Sequence, residues 1–284
     1  MTLLQAILLG IVQGLTEFIP ISSTAHLVLA SRVMNLTLNP EQLTAAIAVI
    51  QLGTLLAVLI YFAGDIWQIT RAFISDHLML MSRKHPGASL SHEAKLGWLV
   101  IIGSLPVAVV GLALKKQIEG AFTKNLWVIA TMMIVIALLL ALAEAVSKKV
   151  RGMQDLGLKD ALAVGFAQCL ALIPGSSRSG STIMAGLFVG ETRETAARFS
   201  FLLSMPAIAA SGLVELREAL HILPHDSLTT LAVGTVVSAV IGYLSIWFLL
   251  RFLRTHTTGI FIGYRLIVGL AILLMLFTGK IAAL

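Results

Sequence analysis

Two short segments hold the residue types that bond-breaking chemistry needs. The first runs Gln13-Gly-Leu-Thr-Glu17-Phe-Ile-Pro20-Ile-Ser22-Ser23-Thr24-Ala-His26. Gln13 and Glu17 are four residues apart, so on a helix they share one face. A carboxylate beside an amide oxygen can hold Mg²⁺ or Ca²⁺, cations that take oxygen ligands and share substrate phosphates. Ser22, Ser23 and Thr24 follow, and His26 lies three residues beyond Ser23. A hydroxyl with a nearby imidazole and acid is the logic of an activated nucleophile. The second segment runs Pro174-Gly175-Ser176-Ser177-Arg178-Ser179-Gly180-Ser181-Thr182. It offers backbone N–H groups, hydroxyls and one planar guanidinium ahead of a short helix, whose N-terminus favours an anion. Arg engages phosphate oxygens in pairs. Phosphate is therefore the expected ligand of Gly175, Ser176, Ser177, Ser179 and Thr182, with Ser22 and Thr24 facing it from the first segment. The nucleotide-binding pattern Gly-x-x-x-x-Gly-Lys-Ser/Thr is absent, which argues against a nucleotide-driven pump.

The elements around these segments must lie in a membrane. Of 284 residues, 58% are hydrophobic and 12% charged, against about 25% charged in a soluble domain. Runs such as Leu126 to Leu142 and Thr230 to Leu250 carry no charge, and about 20 apolar residues cross a hydrocarbon core. The expected class is an all-α polytopic membrane protein. The short alternating segments of a β-barrel are missing. The composition excludes a disordered chain and a nucleic-acid binder. The net charge of +6 fits Lys and Arg gathered in cytoplasmic loops. Cys169 is the single cysteine, so neither an intramolecular disulfide nor a multi-cysteine metal site is expected. No cleavable signal peptide is expected, because the first basic residue is Arg32.

Spanning helices are expected over 42–62, 97–114, 126–146, 199–216, 230–250 and 266–284. The polar stretch 63–96, with Asp65, Arg71, Asp76, Arg83, Lys84, His85, Pro86 and Glu93, should carry short amphipathic helices at the membrane surface. The apolar runs 3–19 and 160–173 behave differently. Each meets a proline and a polar run, then a short apolar piece at 25–34 or 183–190. Broken backbone is tolerated at membrane depth only inside protein or beside water. Both regions therefore read as re-entrant helix–loop–helix hairpins.

The hairpins also resemble each other. Gly10, Gln13, Leu15, Ile19, Pro20, Ser22 and Ser23 match Gly165, Gln168, Leu170, Ile173, Pro174, Ser176 and Ser177. The offset is 155 residues, then 154 after a one-residue gap. One integral membrane domain over 1–284 follows, with one repeat over about 1–150 and another over about 155–284. A hairpin plus three spans crosses an odd number of times, so the second repeat should be inverted. The loops on one side would hold Arg71, Arg83, Lys84, Lys95, Lys148, Lys149, Arg151, Lys159, Arg193, Arg198, Arg251, Arg254 and Arg265. The other side would hold Arg32, Lys115, Lys116, Lys124, Arg217 and Lys280. The richer side should be cytoplasmic, placing both termini outside and the first hairpin open outward.

Ionisable groups at membrane depth are functional candidates by default. Six histidines (His77, His85, His92, His221, His225 and His256) fall in loops or near span ends, leaving His26 inside a hairpin. Glu17 is the acid deepest in an apolar element, whereas Glu144 and Glu215 sit near span ends. Arg178 is the base in a hairpin tip. These three come from opposite repeats, and meeting tips would join them.

The two segments together closely resemble the bacterial undecaprenyl-pyrophosphate phosphatases of the bacitracin-resistance type, in order, spacing and hydropathy over essentially the whole chain. The resemblance implies a multi-pass enzyme of the bacterial inner membrane that hydrolyses a C55 polyprenyl diphosphate to the monophosphate and inorganic phosphate. That reaction recycles the lipid carrier of peptidoglycan synthesis and lowers the target of bacitracin. It also implies a divalent cation, Mg²⁺ or Ca²⁺, and is compatible with a homodimer. By position, Glu17 and Gln13 match metal-binding places of the family, with Gln13 standing where many members have Glu. His26 and Arg178 match the motif histidine and arginine, and Ser23 a serine proposed as nucleophile. Ser23, His26 and water all remain candidates for the attacking group. A transporter or flippase for phosphate or polyprenyl phosphate is the alternative, since inverted repeats with broken helices also build carriers.

Overall fold

The computed structural model describes residues 1–36, 38–82, 89–114, 125–222 and 228–283. The loop residues Arg83, Lys84, His85 and Pro86, the lysines Lys115, Lys116 and Lys124, and His225 fall outside them, as does the side chain of Glu215.

Helices begin where the sequence supplies caps. Thr2 forms a capping box with Gln5 and opens α1, Leu3–Phe18. Ser22 caps α2, Ser23–Val33. Asn39 with Gln42, and Pro40 at the first helical position, open α3, Pro40–Tyr61. After Phe62 the chain turns into α4, Ala63–Met81. Ser91 caps α5, His92–Ala113, and Asn125 caps α6, Leu126–Val146. Next comes α7, Leu158–Gln168, which tightens into the 3₁₀ turn Cys169–Leu172. The chain finishes with α8, Arg178–Phe188, α9, Arg193–Ile222, α10, Leu228–Leu253, and α11, Gly259–Phe277.

Among the described residues, five helices are long and apolar enough to cross a membrane: Glu41–Tyr61, His92–Ala113, Leu126–Val146, Leu228–Leu253 and Gly259–Phe277. The chain is thus a multi-pass helical membrane protein. The expected span 199–216 lies inside α9, a helix of 30 residues. Among the described residues the only bridge-type pairing is the isolated one between Arg151 and Glu191.

Two expectations change. Among the described residues of 63–96, the 19-residue helix α4 and the start of α5 at His92 stand in place of short helices, and α4 buries no residue. The last helix starts at Gly259 instead of 266. The run Ile260-Phe-Ile-Gly-Tyr264 is apolar and free of proline, so nothing stops the helix there. Arg265 consequently leaves the loop tally and enters the protein interior, where it is fully buried.

Helix α1 packs on α10, which packs on α3, while α7 packs on α5. The α1–α10 and α7–α5 contacts both depend on glycine. A methyl group on Gly10 would collide with the Gly234 carbonyl, and one on Gly165 with the Gly103 carbonyl. Only backbone without a side chain allows that approach. A buried cluster including Phe18, Phe62, Phe199 and Phe201 fills the middle. The Phe18 and Phe201 rings meet edge to face, 5.4 Å apart at 85°, which adds about 0.5–1.5 kcal/mol beyond burial. That contact ties the end of α1, one residue past Glu17, to α9. Outward-facing Val109, Leu112, Leu138, Ile267 and Leu274 are exposed apolar residues, as a lipid-facing surface requires.

Candidate active site

Each break passes a proline, and the next helix restarts on serine. Helix α1 stops before Pro20, and Ser22 adopts φ 78° before α2. The second turn passes Pro174 and Gly175, and Ser177 adopts φ 68° before α8. A non-glycine residue in this left-handed range costs about 1 kcal/mol. Each serine offsets that by capping its helix: Ser22 Oγ accepts from Ala25 N at 3.5 Å, and Ser177 Oγ from Gly180 N at 3.1 Å. Helices α2 and α8 have 11 residues each. Ser22 therefore corresponds to Ser177, and Ser23 to Arg178, a shift of one from the match read in the sequence. The second turn holds one more residue, and Gly175 at φ 91° absorbs it.

The turns are joined by an ion pair. Arg178 Nη2 donates to Glu17 Oε1 at 2.8 Å, with side-chain exposures of 14% and 8%. Gln13 Nε2 donates to Glu17 Oε2 at 3.0 Å and to Thr54 Oγ1 at 3.4 Å. His26 faces another way: Nδ1 meets the Ser22 carbonyl at 2.7 Å and Nε2 meets Tyr264 Oη at 2.6 Å. Arg265 sits behind both turns. It donates to the carbonyls of Pro20 (3.3 Å), Gly175 (2.9 Å) and Ser176 (3.1 Å), and to Met132 (3.3 Å) and Met133 (3.1 Å) of α6.

Several buried polar atoms here form no hydrogen bond: Gln13 Oε1, both amide atoms of Gln168, Ser176 Oγ, Arg178 Nη1 and Ser181 Oγ. They make up six of the ten such atoms among the described residues. Leaving a buried polar group unpaired costs about 1–3 kcal/mol, so this concentration marks a place shaped for a polar ligand.

A model of the family described as bacitracin resistance protein BacA matches residues 6–271. The chain belongs to the BacA family. It is 54% identical to the undecaprenyl-diphosphatase of Syntrophobacter fumaroxidans, covering 98% of both chains. It is 49% identical to the undecaprenyl-diphosphatase of Chloroherpeton thalassium over the full length of both. The one from Mycobacterium ulcerans is 45% identical over 98% of both.

Of the candidate residues, Glu17, Gln13 and Arg178 come together as a bonded group. Ser22 and Ser177 are caps, and Ser179 Oγ lies 3.2 Å from Ser177 Oγ. Arg178, Ser179 and Thr182 belong to the first turns of α8 rather than to a loop. Thr182 Oγ1 donates to the Arg178 carbonyl at 2.8 Å and lies 2.5 Å from Ser200 Oγ. Thr24 is exposed, and Ser23 partly so. Among the described residues no three His, Cys, Asp or Glu side chains form a metal-binding group. The orphaned Gln13 Oε1 beside Glu17 is still an acceptor that a cation would satisfy, with substrate phosphates supplying further oxygens.

Arg265 and Tyr264 escaped the sequence reading, which placed them in a loop. The only available signal was the unbroken apolar run before them. Two acids also lie deeper than Glu17. Asp160 receives Arg151 Nη2 at 2.7 Å, and Glu191 is 0% exposed with both oxygens unpaired. Burial, and then neighbouring Asp160, push the Glu191 carboxyl up to about 8 against the pull of Arg151.

Proposed function

We propose that this chain is an undecaprenyl-diphosphatase, hydrolysing the C55 polyprenyl diphosphate to the monophosphate and inorganic phosphate. The observation that carries this is the Glu17–Arg178 pair joining two separate turns, with Arg178 Nη1 and the Oε1 of Glu17-bonded Gln13 buried and unpaired. The names of relatives 45–54% identical over nearly the whole chain support it. Turnover would recycle the lipid carrier of cell-wall synthesis and confer bacitracin resistance.

The diphosphate head group lies between the two turns. Phosphoryl transfer spreads charge over the phosphoryl oxygens, and stabilising it is most of the catalytic task. Arg178 supplies Nη1, which is buried with nothing to donate to. Ser176 Oγ and Ser181 Oγ supply further unpaired groups. Ser23 stands one turn before His26 on α2, so both share a face. That suits in-line attack by Ser23 with His26 as base or orienting group. Glu17 holds Arg178 in place and, with the Gln13 amide oxygen, is the place for a divalent cation. Such a cation, when bound, offsets diphosphate charge.

The prenyl tail runs in an apolar groove open to lipid. The two helix pairs α1–α2 and α7–α8 act as re-entrant hairpins of an inverted repeat. Both termini and the site face the periplasm across the inner membrane. Phosphate release by purified Arg178→Ala and Glu17→Ala proteins tests the assignment. Each should lose at least about 10²-fold in turnover. Near-normal rates in folded variants would refute it. Chelation followed by Mg²⁺ or Ca²⁺ add-back tests the cation, and unchanged activity in excess EDTA would remove it.

A further inference from the structure

We propose that Tyr264 is a positioning residue for His26, fixing its tautomer and the aim of Nε2, a role that rests on the hydrolase reading above. The Ser22 carbonyl oxygen carries no hydrogen, so at 2.7 Å His26 Nδ1 must carry the proton. A neutral imidazole has one ring proton, so its Nε2 presents a lone pair. The contact of 2.6 Å to Tyr264 Oη is then a bond that the tyrosine donates. Together the two partners leave the ring no freedom to flip. The rings also stack, with centroids 5.5 Å apart and planes 15° from parallel.

Tyr264 is itself fixed by its neighbour. Arg265 is fully buried and bonds carbonyls of both turns and of α6. Helix α11 therefore cannot slide along the site without breaking those bonds, and Tyr264 travels with it. A residue 238 positions from His26 in sequence thus keeps Nε2 as the basic nitrogen. Nε2 is the atom that must accept a proton if His26 is to serve an attacking hydroxyl.

The test is Tyr264→Phe in the full-length protein, which keeps the ring and its stacking and removes only the hydroxyl. Two readouts are needed. The first is phosphate release from polyprenyl diphosphate, for this variant, His26→Ala and the double variant. The second is the rate at which diethyl pyrocarbonate modifies His26, read by mass spectrometry against exposed His256. The reagent attacks an unprotonated ring nitrogen, so the tyrosine bond protects Nε2.

The expected result for Tyr264→Phe is a drop in kcat of about tenfold, part of the range general-base catalysis spans, with KM within twofold. The double variant should be no slower than His26→Ala, and modification of His26 should speed up at least about threefold, since the lone pair is freed. Wild-type kcat together with an unchanged modification rate, or losses that multiply in the double variant, would overturn the proposal. A wild-type protein that releases no phosphate would sink the hydrolase reading alone. The modification rate would still decide the Tyr264–His26 bond.

Discussion

The turn between α1 and α2 and the turn between α7 and α8 share one backbone device and carry different chemistry. Each passes an Ile-Pro step, directly after α1 in one and after the 3₁₀ turn that follows α7 in the other, places a serine at positive φ, and restarts an 11-residue helix on that serine's side chain. Each first helix is pinned through glycine, Gly10 on Gly234 and Gly165 on Gly103. Each base is closed onto the C-cap of its second helix. Gln5 Nε2 donates to the Met34 carbonyl at 3.3 Å, and Arg151 Nη1 to the Val189 carbonyl at 3.1 Å. The contents diverge. The residue after the capping serine is Ser23 in one and Arg178 in the other, and His26 is answered by Ser181. The first turn supplies acid, imidazole and hydroxyl, and the second supplies a guanidinium. Backbone geometry and chemistry thus separate: a common frame holds unlike halves so that they complement each other across the gap. The bases diverge too, a neutral amide closing one and a charged cluster the other.

The largest effects should test the frame. Gly10→Val and Gly165→Val each force side-chain atoms into a carbonyl, and each should cost about 3 kcal/mol, seen as lost monodisperse protein or a much lower melting point in detergent. Unequal losses would break the parallel. Next comes Arg265→Gln. It removes a buried cation that ties both turns to α6 and should cost about 2–3 kcal/mol, as bonds from charged donors do, together with most activity. Arg265→Lys should recover only part.

The bases should then differ with pH. Glu191 binds a proton in the folded protein up to about 8, against an ordinary 4.5. Folding therefore takes up a proton between those values, and stability falls as pH rises from about 4.5 to about 8. Melting curves across that window should slope downward for the wild type and flatten for Glu191→Gln. Gln5→Ala, at the neutral base, should leave the slope intact. The smallest effects belong to the caps. Ser22→Ala and Ser177→Ala should each cost about 1 kcal/mol. The glycine variants should cost only a few tenths, because glycine relieves the positive φ.

The helical membrane class, both broken helices and the Glu17–Arg178 partnership were legible because charge is scarce in apolar sequence and each misplaced charge stands out. Arg265 was not. It borders an apolar run and reads as a loop residue until the helix is seen to begin at Gly259. Tyr264 carries no mark in one dimension, since its partner His26 lies on a different helix. The burial of Glu191 depends on its carboxylate packing against Gly186, which no local pattern encodes. The register of the second turn slipped by one because Gly175 adds a residue that repeats neither motif.

The central claim is that the two turns make one phosphatase site. The most direct measurement is phosphate release from C55 polyprenyl diphosphate by wild type, Glu17→Gln, Arg178→Gln and the double variant, each verified as folded. Each single change should lower kcat/KM by at least about 10²-fold, and the double should be no worse than the slower single, as for residues acting as a unit. Near-wild-type single variants, or losses that multiply in the double, would contradict the account.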